Sequence, residues 1–293
     1  MGIGKIEALW RFPVKSFQGE RPDKLYVGKE GIFGDRAYAL IDQETGKVVS
    51  AKSVKLFPDI LNCSAVYIHD PLPGREIPQV RITLADGTTV NSDAVDVNQI
   101  LSQFFKRNVT LARSAPEDFT IEQYHPDLED LDPAGHREVT VDQKLGAALF
   151  KEMDTQSPLP PESFLDVFPV SVITSSTLEQ LNKLQPESNF DVKRFRMNLV
   201  VKTSDHGFVE NQWVGKELGV GNNVRLIITM HDPRCVMVSL AQDNIPKDIN
   251  ILRTLVKHNS LEIPGGGKFP CAGVYAVVED EGYIRVDDMV ECF

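Results

Sequence analysis

The feature that most constrains this chain is the shortness of its apolar runs. Residues 4–12, 25–27, 37–42, 48–50, 65–69, 79–84 and 109–112 each read as one brief β-rich or alternating segment closed by turn-forming residues. Residues 170–174, 199–201, 224–230, 274–278 and 283–286 repeat the pattern in the second half. Turns such as Glu44-Thr45-Gly46, Asp86-Gly87 and Glu281-Gly282 separate them, and an Asp-Gly pair between apolar runs is a hairpin signal. Apolar residues recur at helical spacing in few places. These are 95–105 (Val97, Ile100, Leu101, Phe104, Phe105), a helix capped by Ser175 or Ser176 and running to Leu184, and 250–258. Many short strands with few helices predict a mainly β chain (α+β) built from barrels or sandwiches, not a doubly wound sheet.

The 293 residues suffice for two modest domains. Residues 114–140 are acidic, contain Pro116, Pro126 and Pro133, and lack periodicity; they are expected to connect rather than pack. The expected division is therefore residues 1–115, a connector over 116–140, and residues 141–293, with a second loop at Pro158 to Pro161 and a flexible turn at Gly265-Gly266-Gly267.

Composition narrows the partners. A formal net charge of −11 argues against general nucleic-acid binding but leaves room for a local pocket for a small anion. The cysteines Cys63, Cys235, Cys271 and Cys292 form no CxxC pair, so neither a structural zinc site nor a disulfide framework is expected. His69, His125, His136, His206, His231 and His258 have no metal-type spacing. No apolar run reaches the roughly 18 residues of a membrane span, and Met1 to Phe12 lacks the core of a signal peptide. These features predict a cytoplasmic protein without a membrane span.

The chemistry-bearing stretch is Asp232-Pro233-Arg234-Cys235-Val236-Met237, which follows the β-rich run 224–230. It places the Cys235 thiol on a loop at a strand end. A cation at Arg234 would favour the thiolate, which attacks electrophiles or binds a soft metal; a buried, inert cysteine is the plainer alternative. Several anion-binding candidates accompany it. Lys15-Ser16 offers an ammonium beside a hydroxyl and free backbone N–H groups. Arg36 precedes a strand, as a rim residue or an anion clamp. Ser175 and Ser176 open a helix whose N-terminus could cap itself or receive a phosphate. Arg194 and Arg196 lie in the cationic run from Lys193, either a charged surface or a clamp, and Asn198 could bond a heterocycle edge or cap a turn. Scattered cations with one Arg-flanked thiol point to a phosphorylated cofactor. No Walker motif or GxGxxG order is present.

The order of these motifs resembles the MOSC-domain family, a molybdenum cofactor sulfurase C-terminal type domain preceded by an N-terminal β-barrel partner. It is most similar to the two-domain branch of the mitochondrial amidoxime-reducing component and its bacterial relatives. The resemblance rests on Phe12-Pro13-Val14-Lys15-Ser16 with Gly19, Gly34-Asp35-Arg36, Phe195-Arg196-Met197-Asn198-Leu199-Val200, Glu210 with Trp213, Gly215 and Leu218, Arg234-Cys235, and Gly273-Val274-Tyr275. It implies two β-barrel-like domains and a molybdenum cofactor (molybdopterin) held between them. Cys235 would ligate the metal as the catalytic residue; Lys15, Ser16, Arg36, Ser175, Ser176, Arg196, Asn198 and Arg234 would bind the cofactor. The implied function is a molybdenum-dependent oxidoreductase that reduces N-hydroxylated small molecules. With no ferredoxin-like domain before Phe293, its electrons are expected from a separate protein. The alternative is a sulfur-carrier or cofactor-handling protein using a Cys235 persulfide without redox turnover. Pro233, the residues after Cys235, and Asp287-Asp288 depart from the family pattern and bear on the substrate and the pocket rim.

Overall fold

The computed structural model describes residues 2–53, 55–116, 121–124, 138–141, 150, 156–160, 162–264 and 267–293. The structure is mainly β with a few helices. Two compact units result: Met1–Trp10, Arg21–Phe33 and Phe168–Phe293 form one, and Arg11–Glu20 with Gly34–Val167 form the other.

In the first unit seven strands close into a barrel: β1 (Gly2–Leu9), β2 (Val170–Thr174), β3 (Leu199–Thr203), β4 (Glu217–Val220), β5 (Val224–Pro233), β6 (Gly267–Asp280) and β7 (Met289–Cys292). They hydrogen-bond in the order β2–β3–β1–β7–β4–β5–β6 and back to β2. Closure removes the unpaired edges that an open sheet would expose. Only β2 and β3 run parallel, with Val172 opposite Leu199. A parallel pair needs a crossover, which the helix Ser175–Leu184 supplies.

Sequence alternation decides which side chains fill the barrel. Along β5 the residues Val224, Leu226, Ile228 and Met230 are buried while their neighbours are more exposed, the period of two that a pleated strand requires. With Ile6, Leu9, Val172, Val201 and Val274 they belong to the buried interior. Each such side chain contributes about 1.5–3 kcal/mol through burial. The row continues to Asp232, a buried carboxylate where the pattern would place an apolar residue.

The strand expected over residues 4–12 ends at Leu9. β1 pairs with both β3 and β7. It closes the barrel, so the first ten residues and 21–33 belong with the C-terminal part of the chain. Residues 48–50 form no strand; Val48 makes an isolated bridge with Ile41. Within the expected connector, Ile121–Tyr124 pairs antiparallel with Glu138–Val141. The alternation of Val139 and Val141 supports such pairing despite the flanking prolines. The rest of the connector after Pro116, together with His125, His136, Pro161, Gly265 and Gly266, lies outside the described residues.

The second unit pairs Ala39–Asp42 with Val109–Ala112 and forms a meander from Ser64–Tyr67, Val80–Thr83 and Thr89–Asn91. The Asp86-Gly87 turn lies between its last two strands: Gly87 has φ 88°, and Asp86 Oδ1 accepts the Thr88 N–H at 2.8 Å. The helix Val97–Phe105 buries Val97, Leu101 and Phe105, and Phe105 meets Phe57 edge-on at 5.6 Å.

Candidate functional site

Cys235 lies two residues past the end of β5, in extended backbone (φ −104°, ψ −176°), and opens the 3-10 turn Val236–Ser239. It is free and half-buried. Cys63 and Cys271 are buried, and burial pushes each thiol up to about 12. Arg234 does not direct its charge mainly at the thiol. Its Nη1 pairs with Asp232 and its Nη2 donates to the Phe195 carbonyl, while Nη1 also lies 3.5 Å from Met197 Sδ. The strand ends at Pro233, and the buried Asp232 carboxylate needs a cation or donor, which Arg234 just past the strand end supplies. Burial pulls the Arg234 pKa down, but Asp232 outweighs it, with Tyr275, Cys235 and Cys271 adding to a net upward shift.

Arg194 is fully buried and is a structural fork, not part of a charged surface. It donates to the carbonyls of Asn189 (2.8 Å), Val238 (3.1 Å), Leu240 (3.2 Å) and Pro246 (2.8 Å). Two of those carbonyls bracket the end of the Cys235 turn. Arg196 is buried and left-handed, with φ 54°. Asn198 Oδ1 accepts the Ser171 N–H at 3.1 Å and lies 3.0 Å from Ser171 Oγ, and its Nδ2 reaches the Trp10 carbonyl at 3.4 Å. These bonds tie the entrances of β2 and β3 to the end of β1.

Ser175 and Ser176 do not cap their helix. Thr174, one residue earlier, does so by accepting the Thr177 N–H at 3.1 Å. Ser176 Oγ lies 2.9 Å from Thr174 Oγ1 and accepts from Thr203 Oγ1 at 3.3 Å. Glu210 completes this network: its Oε2 accepts from Thr174 and Thr177, each at 2.7 Å. Burial raises the Glu210 pKa against the opposing effect of those hydroxyls. The hydrogen bonds thus group Ser176 with the buried Glu210 network, Asn198 with Ser171, and Arg234 with Phe195; Ser175 is half-buried on the helix's first turn.

In the second unit Lys15 is buried and donates from Nζ to Asp166 Oδ1 and to the Phe164 carbonyl, both at 2.7 Å. Burial lowers the Lys15 pKa; Asp166 opposes this, and Lys52 and Arg36 reinforce it. Burial pushes Asp166 up, but Lys15, Lys52 and Arg36 together hold its carboxyl well below the usual range. Ser16 (φ 66°) accepts the Ala51 N–H at 3.0 Å. Arg36 (φ 47°) pairs with Asp35 and lies 4.4 Å over the Phe12 ring. Asp35 in turn accepts the Phe12 N–H at 2.7 Å. Lys15, Ser16 and Arg36 thus all lie in the second unit, each held by partners of its own. Asp166, which nothing in its local sequence marks, is the partner of Lys15.

Among the described residues no group of three or more His, Cys, Asp or Glu could hold a metal ion, and no helix is long and apolar enough to cross a membrane.

Residues 3–108 match the MOSC N-terminal beta barrel domain and residues 161–291 the MOSC domain. The mitochondrial amidoxime-reducing component 1 of Homo sapiens is 24% identical over 98% of this chain and 82% of its own length. The mitochondrial amidoxime reducing component 2 of Bos taurus is 23% identical over 98% and 83%. The crystal structure of the YUAD protein from Bacillus subtilis covers 99% of this chain and 94% of its own, at 11% identity and a TM-score of 0.45. With the two matched regions in this order, the chain belongs to the MOSC-domain family.

Proposed function

We propose that the chain binds a molybdenum cofactor and uses it to reduce N-hydroxylated compounds, with electrons from a separate protein. MOSC domains are associated with that cofactor, and the relatives that the chain resembles are named as amidoxime-reducing components. One structural observation carries the reading. Six non-glycine residues have positive φ among the described residues, and three of them are Ser16, Arg36 and Arg196. Such backbone costs about 1–3 kcal/mol per residue and clusters at ligand sites. Here it falls on residues that the sequence marks as anion-binding.

The donor set fits a metal that brings most of its own ligands. Cys235 is a half-exposed soft donor at a strand end, and the described residues hold no rival ligand cluster. Lys15, Ser16 and Arg36, with Arg196, would hold the phosphate and pterin, and Cys235 would ligate the metal. When bound, the cofactor supplies the two-electron chemistry of N–O bond reduction. Arg234, locked by Asp232 and Phe195, fixes the backbone that presents Cys235. Arg194 holds the following turn through its carbonyls. Asn198 and the Ser176–Glu210 network act as framework in this account. A steady-state assay with benzamidoxime and a reducing protein partner tests it: cofactor-loaded wild type turns over and Cys235→Ser does not. Full turnover by Cys235→Ser contradicts the ligand assignment.

A further inference from the structure

The helix Asn250–His258 brackets the Cys235 segment from both ends. Before it, the Asp248 N–H donates at 2.9 Å to the carbonyl of Ser239, the last residue of the Cys235 turn. After it, Asn259 Nδ2 donates to the Cys271 carbonyl at 2.8 Å, and the Cys271 N–H donates back to the Asn259 carbonyl at 2.9 Å. Cys271 lies opposite Pro233, two residues before Cys235. The helix buries Ile251, Leu252, Thr254 and Leu255. A helix is about 10–12 Å across, so the outer face stands about that far from the turn that Cys235 opens.

That outer face is basic in an acidic chain. Residues 245–270 carry Lys247, Arg253, Lys257 and Lys268 against Asp248 and Glu262, a surplus of two positive charges where the whole chain has a net −11. Both carboxylates have local partners. Asp248 Oδ1 accepts the Asn250 N–H at 2.9 Å, and Glu262 lies opposite Lys268 in an antiparallel pair. Lys247 and Lys257 are exposed and make no ion pair among the described residues. Arg253 lies four residues before Lys257, on the same helix face. Helix stability does not account for this charge. Lys257 and His258 suit the negative C-terminal end, but Lys247 precedes the positive N-terminal end, where a cation is unfavourable. Val256, 36% exposed, adds an apolar contact beside the cations.

We propose that this helix face is a docking surface for a small acidic protein that delivers electrons one at a time. Charge complementarity selects that partner: a local basic strip attracts an acidic face that the rest of the chain repels. Reducing one N-hydroxyl group consumes two electrons and two protons and releases water, so such a donor docks twice per turnover. The electron-delivery half rests on the reductase reading above; the docking half stands on the surface alone.

Calorimetric titration of the native protein with oxidised plant-type ferredoxin, a small acidic one-electron protein, tests the surface without turnover. Wild type binds, and raising salt from about 20 to about 200 mM weakens binding about tenfold or more. The sign is diagnostic, because two proteins of like net charge that meet without a local basic face associate better as salt rises. The double variant Lys247→Glu/Lys257→Glu binds about tenfold or more weakly at low salt. No binding by wild type, binding that strengthens with salt, or equal binding by the double variant overturns the inference. Binding of wild type to phosphatidylserine vesicles that the double variant loses, with ferredoxin binding equal in both, overturns it in favour of a membrane. Benzamidoxime turnover by cofactor-loaded protein separates this inference from the reductase reading. Driven by dithionite-reduced methyl viologen, which needs no docking face, wild type and the double variant turn over alike. Driven by ferredoxin, the double variant loses about tenfold in kcat/KM for the donor, and equal rates overturn the docking. No viologen-driven turnover by wild type removes the reductase reading and leaves the binding titration to decide the surface.

Discussion

Replacing Arg194 by methionine tests how the Cys235 turn is held. The guanidinium is fully buried and donates to four carbonyls, two of them at Val238 and Leu240, on either side of the end of the turn. Methionine fills most of the side-chain volume, so the cavity cost is small. Each charged hydrogen bond contributes about 1.5–3 kcal/mol, and four give a gross loss of roughly 6–12 kcal/mol. Removing the buried charge restores several kcal/mol of desolvation, so the net loss is about 3–5 kcal/mol. Urea unfolding followed by tryptophan fluorescence reports the right unit, because Trp10 and Trp213 both lie in it. The two units need not unfold together, so the midpoint is read from this probe alone. The Cys235 thiol of the folded variant should also alkylate several-fold faster, as its turn loosens. A loss under about 1 kcal/mol, with unchanged alkylation, refutes the fork as the anchor of this turn.

Other perturbations read other parts of the account. Gly273→Ala should cost at least about 3 kcal/mol: φ is +84° there, and a Cβ would lie 2.3 Å from Met197 Cε and 2.6 Å from the Val172 carbonyl oxygen; a thermal melt near that of wild type contradicts it. Burial raises the Glu210 pKa above its ordinary 4.5, so both folded and unfolded forms are protonated below that value. Wild type should then lose stability relative to Glu210→Gln as pH rises from about 4.5 through the folded pKa, and a melting-temperature difference with the opposite slope counts against it. In native protein at pH 8, peptide mapping after iodoacetamide should find Cys235 and Cys292 modified. Cys63 and Cys271 should be spared, because they are buried with thiols pushed up to about 12; their early labelling would refute the burial argument.

What the sequence makes legible follows from how local each cause is. The run 224–230 reads as a strand because one face is buried and the period is two. Asp232-Pro233 reads as a turn, but the strand runs through both residues and ends at Pro233, two residues before Cys235. Thr174 takes the cap one residue before the expected Ser175 or Ser176, a shift typical of helix ends. Other features depend on distant partners. β1 closes a barrel with strands from the far end of the chain, a pairing that no local pattern announces. Arg194 looks like its neighbours Lys193 and Arg196 until four carbonyls converge on it. Arg234 lies beside Cys235 in sequence, yet it pairs with the buried Asp232. Lys15 and Asp166, far apart in sequence, meet only in the folded second unit.

The most direct test of the central claim is molybdenum per chain, with released pterin, in protein from a cofactor-competent host, measured beside Cys235→Ala. The account predicts close to one molybdenum and one pterin per wild-type chain, with the metal lost from the variant. Neither metal nor pterin in wild type, while a control molybdoenzyme from the same host is loaded, would contradict it and turn attention to a persulfide on Cys235.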